Sequence, residues 1–125
     1  MKQNVTKPST ARKRMYNAPN HMKRRFISAT LSPSLRAEHG TRSMPIVQDD
    51  TVSITKGDRK LSEGRVLRVD VAECRIYVEG VTRTRMDGST VQIPIKPANV
   101  MITRLNLNDQ WRRSILERKG FSAEE

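Results

Sequence analysis

Apolar and polar residues alternate along short segments from residue 49 onward, and this alternation constrains the fold more than any other feature. In the first segment Val52 and Ile54 alternate with threonine and serine, which predicts a half-buried strand. Segments of this kind give predicted strands at 51–55, 65–71, 74–81, 91–95 and 100–104. Five short strands can hide their edges by curling into a small barrel. We therefore expect a mainly β protein in which residues 49–107 form a five-stranded barrel.

Glycines separate the predicted strands. Gly57 starts a turn-rich loop that ends near Gly64, and the Asp-Gly pair at Gly88 is a strong hairpin signal. Glycine tolerates backbone conformations that other residues avoid, so all three are predicted to be turn or bulge residues instead of ligand contacts. Residues 97–99, Pro-Ala-Asn, predict one short turn of 3₁₀ helix before the last strand.

Residues 1–48 form a separate predicted domain, which we call the arm. Its first eleven residues are polar, and we expect them to stay extended until a partner binds. Pro19 suits the first turn of a helix, which predicts a helix over residues 20–28. Ser32 with Pro33 repeats the start signal, and Gly40 is a suitable residue to end this second helix.

Residues 108–125 form the last predicted domain, a C-terminal helix and tail. Asn108 is a good N-cap residue, and Gly120 ends the helix. Trp111 and Ile115 lie four residues apart, so we expect them to seat one face of the helix on the barrel or on a partner. The residues after Gly120 are expected to fray.

Charge is strongly segregated along the chain. Residues 1–48 hold ten Lys/Arg and one acid, residues 49–107 hold ten Lys/Arg and eight acids, and residues 108–125 hold four of each. A basic extension on a nearly balanced module is typical of proteins that bind a polyanion. Nucleic acid is favoured, because phosphate neutralisation supplies most sequence-independent affinity. A membrane surface is a weaker alternative, since the arm lacks the large apolar face that an interfacial helix buries.

Other function classes have little support in the sequence. There is no apolar run long enough to span a membrane, and polar residues follow the N-terminus where a secretory signal would be apolar. His21 and His39 have no cysteine or carboxylate at metal-ligand spacing, and Cys74 is expected to be a partly buried strand residue. Asp49 and Asp50 are interpreted as a turn or as an ion pair with the arm. We therefore expect no enzyme activity, no metal, no other cofactor and no small-molecule substrate.

Three segments carry the most specific pattern: residues 51–57, 64–69 and 76–81. Together they resemble the KOW motif, an RNA-binding hairpin within an SH3-like barrel. Transcription elongation factors use this motif as well, so it leaves more than one class of RNA-binding protein open.

The flanking residues favour one of these classes. In their order along the chain they resemble the universal large-subunit ribosomal protein family twenty-four, called L-twenty-six in eukaryotes. The resemblance covers residues 12–119. Its flanking motifs are Arg12-Lys13-Arg14, Asn17-Ala18-Pro19, His21, Arg24-Arg25, Leu31-Ser32, Leu35-Arg36, residues 42–46, residues 88–91, Ile95, Pro97, Val100, residues 102–105 and residues 115–119. Two departures are a loop after Gly57 that is one residue short and lacks a second glycine, and a C-terminus without the basic extension of many eukaryotic members.

The resemblance implies a structural constituent of the cytoplasmic large ribosomal subunit, with nuclear or nucleolar transit during assembly. It implies binding to the 5′ domain of the large rRNA near the peptide exit tunnel, among neighbouring ribosomal proteins. An RNA-binding module of a transcription elongation or chromatin-associated factor is the alternative, and a metal-dependent nuclease is a third hypothesis that lacks clustered ligands. The predicted RNA-binding residues are Arg12, Lys13, Arg14, Tyr16, Asn17, His21, Lys23, Arg24, Arg25, Arg36, Arg42, Lys56, Arg59, Lys60, Arg83, Arg85 and Arg104.

Overall fold

The computed structural model describes residues 4–120 of the chain and shows a mixed fold that is mainly sheet. A 3₁₀ turn at Pro97–Asn99 lies before the last strand, as the sequence predicts. The helices are α1 (Pro8–Tyr16), α2 (Asn20–Phe26), α3 (Pro33–His39) and α4 (Gln110–Lys119). The strands are β1 (Ser28–Leu31), β2 (Ser43–Pro45), β3 (Thr51–Ile54), β4 (Glu63–Asp70), β5 (Arg75–Val78), β6 (Thr82–Thr84), β7 (Thr90–Gln92) and β8 (Val100–Arg104).

The sheet is open, so the prediction of a closed five-stranded barrel is wrong. Six strands pair in the order β2-β1-β8-β3-β4-β5, while β6 and β7 form a separate two-stranded ribbon. Strand β1 pairs in parallel with β8. It therefore occupies the edge of β8 that would have to pair with another strand to close a barrel. The predicted fourth strand ends early, and beyond β7 it contributes only a bridge between Ile95 and Ile76.

Two strands of this sheet come from the arm, where only helices were expected. Ile27, Ala29 and Leu31 are buried around β1, and Met44 and Ile46 are buried around β2. They pack in one cluster with the apolar residues of β3, β4, β5 and β8. The end of the arm is therefore part of the core, although the division of the chain into domains at residue 49 stays a prediction.

The arm contains one helix that the sequence does not predict, and one predicted helix ends early. Helix α1 starts at Pro8, so the expectation of an extended chain is wrong for residues 8–11. Helix α2 begins after Pro19 and ends at Phe26, because β1 starts at Ser28. Helix α3 is confirmed with both caps. The Ser32 hydroxyl accepts the Leu35 N–H, and Gly40 adopts φ +65° at the C-cap.

The C-terminal helix is confirmed, but its N-cap is not the predicted residue and its packed face agrees with the prediction only in part. Asp109, not Asn108, is the N-cap, and its carboxylate accepts the Trp111 N–H at 3.0 Å. Trp111 is 79% exposed, whereas Arg112 and Leu116 are buried. Ile115 is half-buried and packs against the core as predicted, so the prediction is wrong for Trp111 only. The residues after Gly120 lie outside the described part of the chain.

A buried ion pair joins this helix to the start of β3. Arg112 Nη1 contacts Asp50 Oδ1 at 2.6 Å, and Nη2 contacts Oδ2 at 2.7 Å. The guanidinium also donates to the carbonyls of Asn106 and Pro45, while the carboxylate accepts the N–H groups of Val47 and Asn106. Because the pair is bidentate and its remaining groups are hydrogen-bonded, burial of both charges is compensated. Of the two interpretations of Asp49 and Asp50, the turn is confirmed, since the Asp50 N–H donates to the Val47 carbonyl at 3.4 Å, and the ion pair of Asp50 with the arm is wrong.

Two residues, one in β4 and one just after it, have backbone environments that depart from an ordinary strand. A Cβ on Gly64 would lie 2.6 Å from the Glu79 carbonyl oxygen, so only glycine lets β4 pack this closely. Cys74 lies in the turn between β4 and β5 with φ +54°, and not in a strand as predicted.

Among residues 4–120, no helix is long and apolar enough to cross a membrane.

Candidate nucleic-acid interface

Helices α1 and α2 carry the two cationic clusters of the arm. Arg12, Lys13 and Arg14 lie on α1 and are exposed, as are Arg24 and Arg25 on α2. The sequence has no Asp or Glu before residue 38. Within residues 4–120, none of these cations has a carboxylate within ion-pair distance. Their charge therefore stays available to phosphates.

The positions of these cations suit the helices that carry them. Lys13 and Arg14 occupy the last turn of α1, and Lys23, Arg24 and Arg25 occupy the last turn of α2. Cations at a helix C-terminus interact favourably with the helix dipole. Neither helix buries a residue, so both lie on the surface and are not part of the core.

A cleft of about 410 Å³ separates α1 and α2 from the end of the sheet; we call it the aromatic cleft. Tyr16 and Phe26 line the helix side, and they are 68% and 45% exposed. Lys23 lies between the two sides and donates from Nζ to the Ala72 carbonyl at 3.0 Å. Arg75 and Lys96 line the opposite wall.

A second cleft, of about 320 Å³, lies under the loop that follows β3; we call it the loop cleft. Lys56 and Arg59 line it together with Asp58. Arg75 and Lys96 line this cleft too, so they connect the two clefts. The connected surface of α1, α2, Arg75, Lys96 and the loop is called the basic face below.

Arg75 and Lys96 are absent from the set of residues predicted from the sequence. Arg75 is the first residue of β5, and Lys96 precedes the 3₁₀ turn. Each is an isolated cation in the sequence, so no local cluster marks it. The sequence gives one partial indication for Arg75. Strand alternation places this residue on the sheet face opposite to the one that carries the apolar Ile76.

The loop after Gly57 adopts left-handed backbone at two positions. Gly57 has φ +95° and Leu61 has φ +73°. Leucine has a steric cost in this conformation that glycine does not have. Arg59 donates from Nη2 to the Thr82 carbonyl at 2.9 Å and so ties the loop to the start of β6. Lys60 is exposed beside it.

The β6–β7 hairpin presents Arg83 and Arg85 to solvent. Gly88 forms its turn with φ +93°. The Ser89 hydroxyl donates to the Asp87 carboxylate at 2.7 Å and the Ser89 N–H donates at 2.9 Å, and these bonds lower the pKa of Asp87. The hairpin tip is therefore an ordered turn with its own hydrogen bonds.

The remaining predicted residues are more scattered. Asn17 and His21 are exposed where α1 meets α2. Arg42 is exposed just before β2, and Arg104 is exposed at the end of β8. Arg36 on α3 is half-buried. None of these five lines the aromatic cleft or the loop cleft.

Within residues 4–120, no group of three or more His, Cys, Asp or Glu side chains is placed to hold a metal ion. What the described surface does offer is cations and exposed rings on an ordered scaffold. The fold and surface therefore define a small, basic, sheet-centred protein able to contact a polyanion over one extended face.

The comparisons with known proteins give the family. The model of the family that comprises the eukaryotic ribosomal proteins L26 and their archaeal counterparts of the L24 type matches residues 5–119. This chain therefore belongs to that family of ribosomal proteins, which are structural proteins and not enzymes, and the resemblance found in the sequence is confirmed.

Three relatives share the name "Large ribosomal subunit protein uL24". The protein of Korarchaeum cryptofilum is 44% identical over 119 residues, which cover 95% of this chain and 91% of the relative. That of Methanothrix thermoacetophila is 48% identical over 111 residues, covering 89% and 96%. That of Methanoculleus marisnigri is 47% identical over 116 residues, covering 93% of each.

Proposed function

We propose that this protein is a structural constituent of the large ribosomal subunit that binds large-subunit rRNA through the basic face. The family and the names of the relatives support the ribosomal part of the proposal. The observation that carries the RNA-binding part is the continuity of the basic face. Arg75 and Lys96 line both clefts, and Lys23 of α2 lines the aromatic cleft with them, so one RNA surface can contact α2, the two connecting cations and the loop after β3.

The mechanism follows from charge and shape. Each phosphate that the face neutralises releases counterions, so affinity falls steeply with salt. Arginines outnumber lysines by sixteen to eight in the chain, and the planar fork of arginine suits bidentate phosphate contacts. Recognition then depends on the shape of the folded RNA and a few stacked or hydrogen-bonded groups, not on a base code.

Finer parts of the proposal rest on the family resemblance. They are the 5′ domain of the rRNA as the binding region, a position near the exit tunnel among neighbouring proteins, and a role in early assembly. The KOW-type interpretation of residues 51–81 belongs here as well, as does a cytoplasmic ribosomal location. Nuclear or nucleolar transit during assembly is a further part that rests on the same resemblance.

A role in a transcription elongation or chromatin-associated factor is not proposed. Relatives that carry ribosomal names align with about nine-tenths of this chain or more. The alternative therefore has no observation of its own in its favour.

Sedimentation of a cell extract tests the proposal. We expect the protein to co-migrate with large subunits at one copy per subunit and to remain there after a high-salt wash. A variant with Arg12, Lys13, Arg14, Arg24 and Arg25 changed to glutamine should move partly to the free pool. A wild-type protein found mainly free, or bound to RNA polymerase, would contradict the proposal.

A further inference from the structure

The aromatic cleft contains a feature that phosphate binding alone does not require. The chain has only two tyrosines, two phenylalanines and one tryptophan, yet Tyr16 and Phe26 both line this cleft and are both largely exposed. Met15 also lines it and is 44% exposed. Apolar side chains on the same wall, beside cations, are suited to a ligand with a flat apolar part and a charged part.

The cleft is held open by contacts of its own. The Lys23 ammonium donates to the Ala72 carbonyl at 3.0 Å, so it fixes α2 at a distance from the β4–β5 turn. The Arg75 guanidinium donates from Nη1 to the carbonyls of Glu73 and Cys74, at 3.2 and 3.1 Å. These bonds orient both walls before any ligand arrives, which reduces the entropy cost of binding.

Charge on the rim selects the occupant. Lys23, Arg75 and Lys96 line the cleft, and Glu73 is the one acid among its lining residues. An anion with an apolar body is therefore favoured over an uncharged apolar peptide. Lys96 and Arg75 also line the loop cleft, so an anionic chain can continue past them along the basic face.

We propose that the aromatic cleft binds one unpaired, unstacked nucleotide of an RNA strand. Its base stacks on Tyr16 and Phe26, and its phosphates contact Arg75 and Lys96. This inference rests on the proposed function and deepens it, because it adds a single-stranded site to a face otherwise explained by charge. Aromatic stacking of splayed bases is a common mode of RNA recognition.

The test compares two probes of equal charge: a fluorescent uridine heptamer and a ribose-phosphate heptamer without bases. We expect the wild-type protein to bind the uridine heptamer about tenfold more tightly, since about 1.4 kcal/mol corresponds to a factor of ten. The variant Tyr16→Leu with Phe26→Leu should bind both probes equally, with wild-type affinity for the probe without bases. Both proteins should show the same salt dependence.

Two matched variants control for folding and for nonspecific apolar effects. Trp111→Leu changes another exposed aromatic side chain, outside the cleft, and should keep the full preference. Tyr16→Phe keeps the aromatic ring and should also keep the full preference for the uridine heptamer. A variant that lost the preference through unfolding would also lose its affinity for the probe without bases.

The outcomes separate this inference from the proposed function. Equal binding of both heptamers by the wild type, or a full preference in the double leucine variant, would overturn the nucleotide site alone. No binding of either heptamer, with the rRNA 5′ domain still bound, would also overturn the nucleotide site alone. No binding of the rRNA 5′ domain would overturn both proposals. Protection of Tyr16 and Phe26 by a neighbouring ribosomal protein, and not by RNA, would assign the cleft to a protein partner and overturn the inference.

Discussion

The α1–α2 helix pair and the sheet differ in how much of each is buried and in how their charges are paired. The helix pair buries no residue and carries cations without carboxylate partners among residues 4–120. The sheet contains the buried core, and its main internal charges, Asp50 and Arg112, neutralise each other. One region is thus available for binding at little cost in stability, while the other provides the stability of the fold. Changes in the two regions should therefore affect different measurements.

The largest expected effect comes from removing charge in the helix pair. Changing Arg12, Lys13, Arg14, Arg24 and Arg25 to glutamine should weaken rRNA binding by about a thousandfold at physiological salt. The free energy of unfolding should change by less than about 1 kcal/mol, because exposed substitutions have small effects. Filter binding and urea unfolding of the same protein measure the two quantities. A large loss of stability would show that the two regions are not separable.

The reverse effect is expected when the buried pair is broken. Asp50→Ala leaves the Arg112 guanidinium buried without its partner, which should lower the free energy of unfolding by about 3–5 kcal/mol. The RNA affinity of the protein that remains folded should be unchanged. Asp49→Asn is the matched control, since the adjacent Asp49 makes only an exposed contact with Arg65 at 3.7 Å and should cost no more than about 1 kcal/mol.

A smaller effect tests whether the basic face is continuous. Arg75→Gln with Lys96→Gln removes the two cations that connect the clefts, and it should weaken RNA binding by about tenfold. Arg83→Gln with Arg85→Gln removes the same amount of charge from the hairpin, which lies outside both clefts, and should weaken RNA binding less. Competition binding of the two variants on one RNA fragment ranks them directly. An equal or larger loss for the hairpin variant would contradict this description of the face.

The smallest expected effect is a pH dependence confined to the hairpin tip. Hydrogen bonds from the Ser89 hydroxyl and N–H lower the pKa of Asp87 below 3.8. The stabilisation of the turn is therefore fully present above that ordinary pKa and is lost as the pH falls through the lowered value of the folded state. Amide chemical shifts of residues 85–89 should follow this titration, and Asp87→Asn should abolish it. Shifts that extend into the sheet would show that the tip is coupled to the core.

Local signals predicted several elements well. Ser32 and Gly40 define α3, and the Asp87-Gly88 pair correctly marks the β6–β7 hairpin, because capping and turn chemistry act within a few residues. Strand β8 was also predictable, since Val100 and Ile102 alternate with polar or less buried neighbours.

Long-range pairing was not predictable in the same way. Ile27, Ala29 and Leu31 do alternate, and this signal could have indicated β1, but nothing local reveals that β1 pairs with β8 at the far end of the chain. Arg112 is expected to be a solvent-facing helix residue until Asp50 is known to lie beside it. The predicted cations of the arm were identifiable because they cluster, whereas Arg75 and Lys96 gain their role only from the fold.

The most direct test of the account is the salt dependence of rRNA binding, measured for the wild type and the five-cation variant on one fragment of the 5′ domain. If the helix pair supplies the main phosphate contacts, the slope of log affinity against log salt should be smaller in the variant by roughly 3.5 to 4.5 units. An unchanged slope would contradict the account, because the binding charge would then lie elsewhere on the molecule.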